Sequence, residues 1–257
     1  MLAFDAHGTG RALLFVHAGI ADRRMWDAQV AAFATDHRVV RCDLRGYGDT
    51  PLGAEPYALH EDVAALIDTL ALAPVVVVGA SMGGAAAIDL ALTRADAVRA
   101  LVLAGTALGG HPFAEADTHA GWTTASAAFD RGDREGAAAI ELAMWLPGRG
   151  RTLDDVDAAV RARVHEMLLR SYAMQSDGET EEIELDPPAA ERLAEIRCPT
   201  LVVVGDLDTA DIHAVAERVP GARRATIADA AHLPSMERPA QFNDVLRAFL
   251  NELPGSV

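Results

Sequence analysis

The sequence has 257 residues, 22 basic and 38 acidic, and a formal net charge of −16. This acidic surplus opposes binding to nucleic acid and to anionic membranes, because both require clustered cations. All the basic residues are arginine, which excludes the lysine of a Walker phosphate loop and a lysine Schiff base.

The sequence also predicts where the protein resides. Cys42 and Cys198 lie beside apolar runs and lack Cys-x-x-Cys spacing, so we expect buried free thiols in a reducing compartment. The start of the chain lacks the basic and apolar regions of a signal peptide, and no apolar run is long enough to cross a bilayer. We therefore expect a soluble cytoplasmic protein with a small-molecule substrate; the oligomeric state is left open.

Strands and helices alternate through the first 104 residues. The predicted strands are Leu2–Asp5, Ala12–His17, Arg38–Asp43, Val75–Val78 and Val98–Ala104. The predicted helices are Arg23–Ala34, Tyr57–Leu72 and Ala85–Leu92. Because the later strands are continuously apolar, the pattern indicates a mostly parallel, doubly wound α/β sheet.

The alternation stops over residues 106–194, here called the cap segment. Helical patterns cover Thr118–Asp130, Arg134–Trp145 and Leu153–Gln175, and no strand is predicted there. The sheet resumes at Thr200–Val204, followed by a helix near 212–219, a strand near 223–228 and a final helix near 239–253. We therefore expect one domain, 1–257, in which the cap segment is a helical lid inserted between two strands.

The cap segment ends in acids without bases between Asp177 and Asp186. Like charges this close repel each other, so we expect a loosely held stretch. We also expect it to lie on the lid and away from the catalytic residues, and to disfavour anionic substrates through its field.

A candidate nucleophile follows the most apolar strand. Val75–Val78 runs into Gly79-Ala80-Ser81-Met82-Gly83, a G-x-S-x-G motif, and then into a helical pattern. This context is typical of a nucleophile elbow, in which a serine sits on a sharp strand-to-helix turn with small neighbours. The alternative interpretation is an ordinary strand-to-helix turn.

A serine nucleophile needs a base, and the base needs an acid to orient it. Asp208 and His232 each follow a later predicted strand, at the sheet edge where Ser81 would lie. Asp206 is the competing acid, although its place at the bend favours a turn-capping role. For His232 the alternative is a loop histidine in solvent.

An oxyanion hole needs two backbone N–H donors. Met82 N–H is one candidate, and the loop after the second strand supplies Gly19 N–H as the other, with Ile20 as the alternative. We expect His17 to be structural, with its ring bonded to nearby backbone.

Together these motifs resemble the α/β-hydrolase superfamily over nearly the whole chain. They are His17-Ala18-Gly19, Asp43-Leu44-Arg45-Gly46-Tyr47-Gly48, Gly79–Gly84, Gly205–Asp208, and Ala231–Pro234 with Glu237 and Pro239. Within that superfamily the chain is similar to small esterases, enol-lactonases, carbon–carbon bond hydrolases and cofactor-free haloperoxidase-like members.

The resemblance implies the α/β-hydrolase fold, with Ser81, Asp208 and His232 as a catalytic triad. The sequence has no His-Glu-x-x-His motif and no cysteine–histidine cluster, so we expect no cofactor or metal. The chain departs from the family pattern at two points. It has Ala18 where the family usually has glycine, and its sheet is expected to have about seven strands instead of eight. Serine at position 81 separates the chain from members that use aspartate there.

The predicted activity is hydrolysis of a small or medium carboxylic ester, thioester or lactone through an acyl-enzyme. Carbon–carbon bond hydrolysis, an enol-lactonase and a non-catalytic ligand-binding protein are the alternatives. The candidate pocket residues are Trp122, Met144, Trp145 and Tyr172, which could instead form the core of the lid. A dicarboxylate lactone would need a cation there, for which Arg149, Arg151 and Arg170 are available.

Overall fold

A seven-stranded sheet forms the centre of the computed structural model, which describes residues 1–175 and 180–255. The strands are β1 (Phe4–His7), β2 (Arg11–Val16), β3 (His37–Cys42), β4 (Val75–Ala80), β5 (Val98–Ala104), β6 (Thr200–Gly205) and β7 (Arg223–Ile227). Their order across the sheet is β1-β3-β2-β4-β5-β6-β7. Only β1 is antiparallel to its neighbour, so the expected mostly parallel sheet of seven strands is confirmed.

Helices connect the strands and cover both faces of the sheet. Those of the described residues are α1 (Asp27–Phe33), α2 (Leu59–Thr69), α3 (Met82–Thr93), α4 (Ala116–Asp130), α5 (Arg134–Trp145), α6 (Ala158–Met174), α7 (Ala189–Arg192), α8 (Ala210–Arg218), α9 (Pro234–Glu237) and α10 (Pro239–Glu252). The predicted bounds of β5 and α5 agree with the structure at both ends.

Alternation along the central strands divides the core into two layers. In β4, Val76 and Val78 pack in one cluster with Trp26, whereas Val77 packs in the other with Ile88. All four β4 valines are buried. Because both faces are covered, a continuous valine run is stable here, as the sequence predicts.

The helix predicted at Arg23–Ala34 does not begin as an α-helix. Residues Arg23–Trp26 form a 3₁₀ turn, and α1 follows it. The backbone N–H of Arg23 donates to Asp43 Oδ1 at 2.8 Å, and that of Arg24 donates to Asp22 Oδ1 at 2.9 Å. The carboxylate of Asp43, distant in sequence, thus fixes the first turn, which local propensity does not reveal.

The helix predicted at Leu153–Gln175 is divided in two. A 3₁₀ turn, Leu153–Asp155, carries a capping box between Thr152 and Asp155. Asp157 then caps α6, because its side chain accepts hydrogen bonds from the N–H groups of Ala159 and Val160. Two consecutive N-terminal caps start two separate helices, so the single helix that the sequence predicts here is too long.

The cap segment lies between β5 and β6 and contains α4, α5, α6 and α7. Buried residues of α5 and α6, among them Leu142 and Met167, belong to the same cluster as Val76 of the sheet. The cap segment therefore packs into the same hydrophobic core as one face of the sheet. That it acts as a lid stays a prediction.

The two cysteines are free. Cys42 is buried, as expected, but Cys198 is only half-buried. Burial raises the pKa of both thiols, so neither has the character of a reactive thiolate.

Candidate active site

Ser81 lies on a sharp turn between β4 and α3. Its backbone angles are φ +48° and ψ −114°, a region that non-glycine residues rarely occupy. A Cβ at Gly79 would lie 2.3 Å from the carbonyl oxygen of Gly83, and one at Gly83 would lie 2.5 Å from that of His17. Only glycine fits at these two positions, which explains the small residues on each side of the serine.

Three side chains meet in one hydrogen-bonded chain at this turn. His232 Nε2 lies 2.9 Å from Ser81 Oγ. His232 Nδ1 lies 3.3 and 3.2 Å from the two carboxylate oxygens of Asp208. An ionised carboxylate only accepts hydrogen bonds, so this arrangement favours a proton on Nδ1 and leaves Nε2 to accept from the serine hydroxyl. Asp208 and His232 are buried.

Asp206 has a different environment from Asp208. Its Oδ1 accepts a hydrogen bond from the N–H of Ala230 at 3.3 Å, which joins the turn after β6 to the loop after β7. Asp208 also accepts from the N–H of Thr209 at 2.8 Å, which fixes its carboxylate. The carboxylate of Asp206 therefore links two loops instead of capping its own turn, and it is Asp208 that the structure brings to the histidine.

Glu237 holds the backbone on both sides of His232. Its Oε1 accepts from the N–H groups of Ala231 at 2.9 Å and Leu233 at 3.3 Å. Its Oε2 accepts from Arg151 Nη2 at 2.9 Å. Burial raises the pKa of this carboxyl, although the bonds from Arg151 and the two N–H groups oppose that rise.

The two candidate oxyanion donors lie beside Ser81. Gly19 and Met82 line the same cavity as Ser81 and His232, as does Ile20. A Cβ at Gly19 would lie 3.6 Å from Met82 Sδ, so the two residues are in close contact. Among hydrogen bonds between described residues, the N–H groups of Gly19 and Met82 donate to none. Their oxyanion role stays a prediction.

His17 is structural, as the sequence predicts. Its Nε2 accepts from the N–H of Leu44 at 2.9 Å, so its Nδ1 carries the proton and donates to the carbonyl oxygen of Ala18 at 2.8 Å. Burial lowers the pKa of the imidazole. The ring thus ties the Gly19 loop to the end of β3.

The four candidate pocket residues occupy three different places. Trp122 and Trp145 line the Ser81 cavity, and the Trp145 ring lies on that of His232 with centroids 4.5 Å apart. Met144 lines a separate cavity beside α4, because consecutive helical residues point about 100° apart. Tyr172 is buried behind the wall, where its hydroxyl donates to Glu141 Oε1 at 2.9 Å.

Sequence reasoning missed several lining residues, namely Tyr47, Leu108, Phe113, Glu141 and Glu184. Glu141 alone had a usable signal: it precedes Trp145 by four residues on a predicted helix and therefore shares its face. The others reach the cavity from loops, whose positions depend on the fold.

The acidic stretch is not where it was expected. Glu184 lines the cavity that holds Ser81, so the stretch reaches the catalytic residues instead of lying apart from them. Tyr57 N–H donates to the carbonyl of Glu181 at 3.0 Å, and Ile183 N–H donates to that of Tyr57 at 2.7 Å. These bonds hold the described part of the stretch in place; 176–179 lie outside the described residues.

The three candidate arginines lie away from the cavity wall. Arg149 donates to the carbonyl of Asp206 at 3.0 Å, and Arg151 pairs with Glu237. Arg170 donates to the carbonyl of Gly48 at 3.0 Å. Of the described residues that line the Ser81 cavity, none is an arginine.

Across residues 1–175 and 180–255, no group of three or more His, Cys, Asp or Glu side chains is arranged to hold a metal ion. In the same part of the chain, no helix is both long and apolar enough for a membrane span.

In this structure a parallel sheet presents a serine at a strained strand–helix turn, and a histidine that follows a later strand faces that serine. This is the architecture of the α/β hydrolases. Comparison with known proteins agrees. The profile of the Alpha/beta hydrolase family matches residues 13–245, and the chain belongs to this family.

The chain is also similar to characterised proteins along its whole length. It is 25% identical to 3-oxoadipate enol-lactonase 1 of Acinetobacter baylyi, over 94% of this chain and 89% of that protein. It is 26% identical to the pimeloyl-[acyl-carrier protein] methyl ester esterase of Aeromonas hydrophila, over 97% of this chain and 99% of that protein. The solved structure of a thermophilic esterase from Thermogutta terrifontis superposes with a TM-score of 0.79 at 27% identity, over 98% of this chain and 93% of that one. Family and relatives together indicate a hydrolase.

Proposed function

We propose that the protein is a serine hydrolase that cleaves a small or medium carboxylic ester, thioester or lactone through an acyl-enzyme. The observation that carries the proposal is the 2.9 Å contact between Ser81 Oγ and His232 Nε2, backed by Asp208 on Nδ1. A positioned base at this distance can take the hydroxyl proton as the oxygen attacks.

In the proposed reaction, Ser81 Oγ attacks the carbonyl carbon while His232 takes its proton. The N–H groups of Gly19 and Met82 stabilise the resulting oxyanion, helped by the positive end of α3. The imidazolium, stabilised by Asp208, then donates its proton to the leaving group. Water, activated by the same histidine, hydrolyses the acyl-enzyme and restores Ser81.

The volume of the cavity supports a small or medium substrate. The cavity is open to solvent, has a volume of about 470 Å³ and is lined by both polar groups and aromatic rings. The names of two relatives specify a methyl ester and an enol-lactone, which supports oxygen esters and lactones as the first substrates to test. Carbon–carbon bond cleavage would use the same residues, so a panel should include one such substrate.

The first experiment is active-site labelling. A fluorophosphonate should inactivate the wild type stoichiometrically, with the adduct on the peptide that holds Ser81. Ser81→Ala should be neither labelled nor active, whereas Ser126→Ala, at an exposed serine on α4, should match the wild type. A folded wild type that is not labelled and cleaves no ester would refute the proposal in favour of a ligand-binding protein.

A further inference from the structure

The cavity beside Ser81 has an aromatic side. Phe113 and Trp122 meet edge-on with ring centroids 5.1 Å apart, and Trp122 and Trp145 lie 6.0 Å apart. Trp145 in turn contacts His232. A substrate bound for attack by Ser81 would therefore lie beside aromatic rings, and the faces of such rings attract organic cations.

A carboxyl group faces the same space. Glu141 lies on α5, one turn before Trp145, and lines the cavity together with Ser81. Its Oε1 accepts the hydroxyl of Tyr172, and burial raises the pKa of the carboxyl. In the described parts of the chain, no arginine or histidine lies within ion-pair distance of Glu141.

An ionised carboxyl without a counter-charge is costly in a partly desolvated cavity, and a cationic ligand would lower that cost by supplying the counter-charge. Glu184, an exposed residue that also lines the cavity, adds a second negative group. Among the described residues, no arginine that could bind a carboxylate ligand lines the cavity, and Arg149, Arg151 and Arg170 are bonded elsewhere. The charge pattern therefore opposes an anionic substrate and favours a cationic one.

We propose that this cavity selects esters or lactones that carry an ammonium group, held between the Glu141 carboxylate and the rings of Trp122 and Trp145. The inference rests on the proposed function, since it concerns the substrate of the same serine. It assigns a specificity role to Glu141, which has no part in the bond-breaking steps.

The test uses three p-nitrophenyl esters with acyl chains of equal length: hexanoate, 6-aminohexanoate and the adipate monoester. In the wild type at low salt, kcat/KM should be at least about tenfold higher for the aminohexanoate than for the adipate ester, because one charge–charge contact of about 1.4 kcal/mol gives a factor of ten. The preference should weaken as salt screens the charges.

Two variants separate the local carboxyl from net charge. Glu141→Gln keeps an oxygen to accept the Tyr172 hydroxyl, and it should reduce the aminohexanoate-to-hexanoate ratio by about tenfold. Glu135→Gln removes the same charge from the same helix, but that side chain is 71% exposed and pairs with His165, so the ratio should not change.

A second measurement does not depend on turnover. Calorimetric titration of the wild type with hexylammonium should show binding that weakens at least fivefold in Glu141→Gln, and hexanoate should bind more weakly than hexylammonium. A preference for the adipate ester or hexanoate, or a ratio unchanged in Glu141→Gln, would overturn the inference. If the hexanoate ester is cleaved and Ser81 is labelled in that case, the proposed function survives and only the ammonium preference fails.

Discussion

Glu237 offers a sharp test of how the candidate base is held in place. Its carboxylate is the shared acceptor for the N–H groups on either side of His232, and its second oxygen pairs with Arg151. The side chain of Glu237 is buried, at 3% exposed, whereas that of Arg151 is partly buried, at 16% exposed. Glu237→Ala would remove the carboxylate from a partly buried guanidinium, which keeps its bonds to the carbonyls of Pro147 and Asp229. It would also leave two N–H groups without acceptors.

The expected loss of stability follows from these contacts. Removing one partner of a fully buried ion pair costs about 3–5 kcal/mol, so the loss here should lie below that range because Arg151 is partly exposed. An orphaned buried donor costs about 1–3 kcal/mol. These contributions overlap, so we expect Glu237→Ala to lower the free energy of unfolding by about 3 kcal/mol. That is a large part of the roughly 5–15 kcal/mol of a typical domain. A displacement of the histidine by about 1 Å would also lower kcat by about 100-fold.

Arg151→Met separates the two effects. It removes the ion pair but leaves Glu237 bonded to the N–H groups of Ala231 and Leu233. We therefore expect it to lose stability while keeping kcat within about threefold, whereas Glu237→Ala loses both.

The assay combines urea unfolding with kcat for a p-nitrophenyl ester, measured where circular dichroism shows each variant folded. The rate of fluorophosphonate labelling serves as a second readout of the geometry around Ser81. The reasoning would be wrong if Glu237→Ala stayed within about 1 kcal/mol and threefold in kcat of the wild type. Equal loss of kcat in Arg151→Met would show that the ion pair, and not the two N–H contacts, positions the histidine.

Two further predictions concern acids in other environments. Asp208→Asn should lower kcat by up to about 10⁴-fold, because an amide favours the wrong histidine tautomer, whereas Asp206→Asn should lower it far less. Steady-state kinetics of both variants test this, and the reverse order would show that Asp206 is the acid that orients His232. Burial, aided by the charges of Glu184 and Glu182, raises the pKa of Asp89 from 3.8 to about 6. Between these two pH values the native carboxyl holds a proton that the unfolded chain has lost. The contribution of Asp89 to the free energy of unfolding is therefore greatest below pH 3.8 and is lost as pH rises through about 6. Relative to Asp89→Asn, the wild type should therefore lose about 2 kcal/mol of unfolding free energy between about pH 4 and pH 7, a value reduced for partial exposure. Denaturant unfolding at both pH values tests this, and a difference that does not vary with pH would contradict it.

The sequence by itself determined the elements whose stability is local. β4 and β5 are continuous apolar runs, and α5 is bounded by a capping aspartate, Asp133, whose side chain accepts from the N–H of Gly136. The elbow was equally readable, because the strained turn at Ser81 demands glycine on both sides. Asp208 and His232 could also be predicted to lie near the serine, because each follows a strand and parallel strands end at one edge of a sheet.

Only the tertiary structure decided the features that depend on contacts between distant residues. The carboxylate of Asp43 bonds to the backbone of Arg23, in a 3₁₀ turn that stands where the sequence predicts the first turn of an α-helix. Pairing with Tyr57 brings the acidic stretch to the cavity, where Glu184 lies. The arginines of the cap segment are bonded away from the cavity. A charge acts over a few ångströms in three dimensions, and spacing along the chain does not record which charges the fold brings that close.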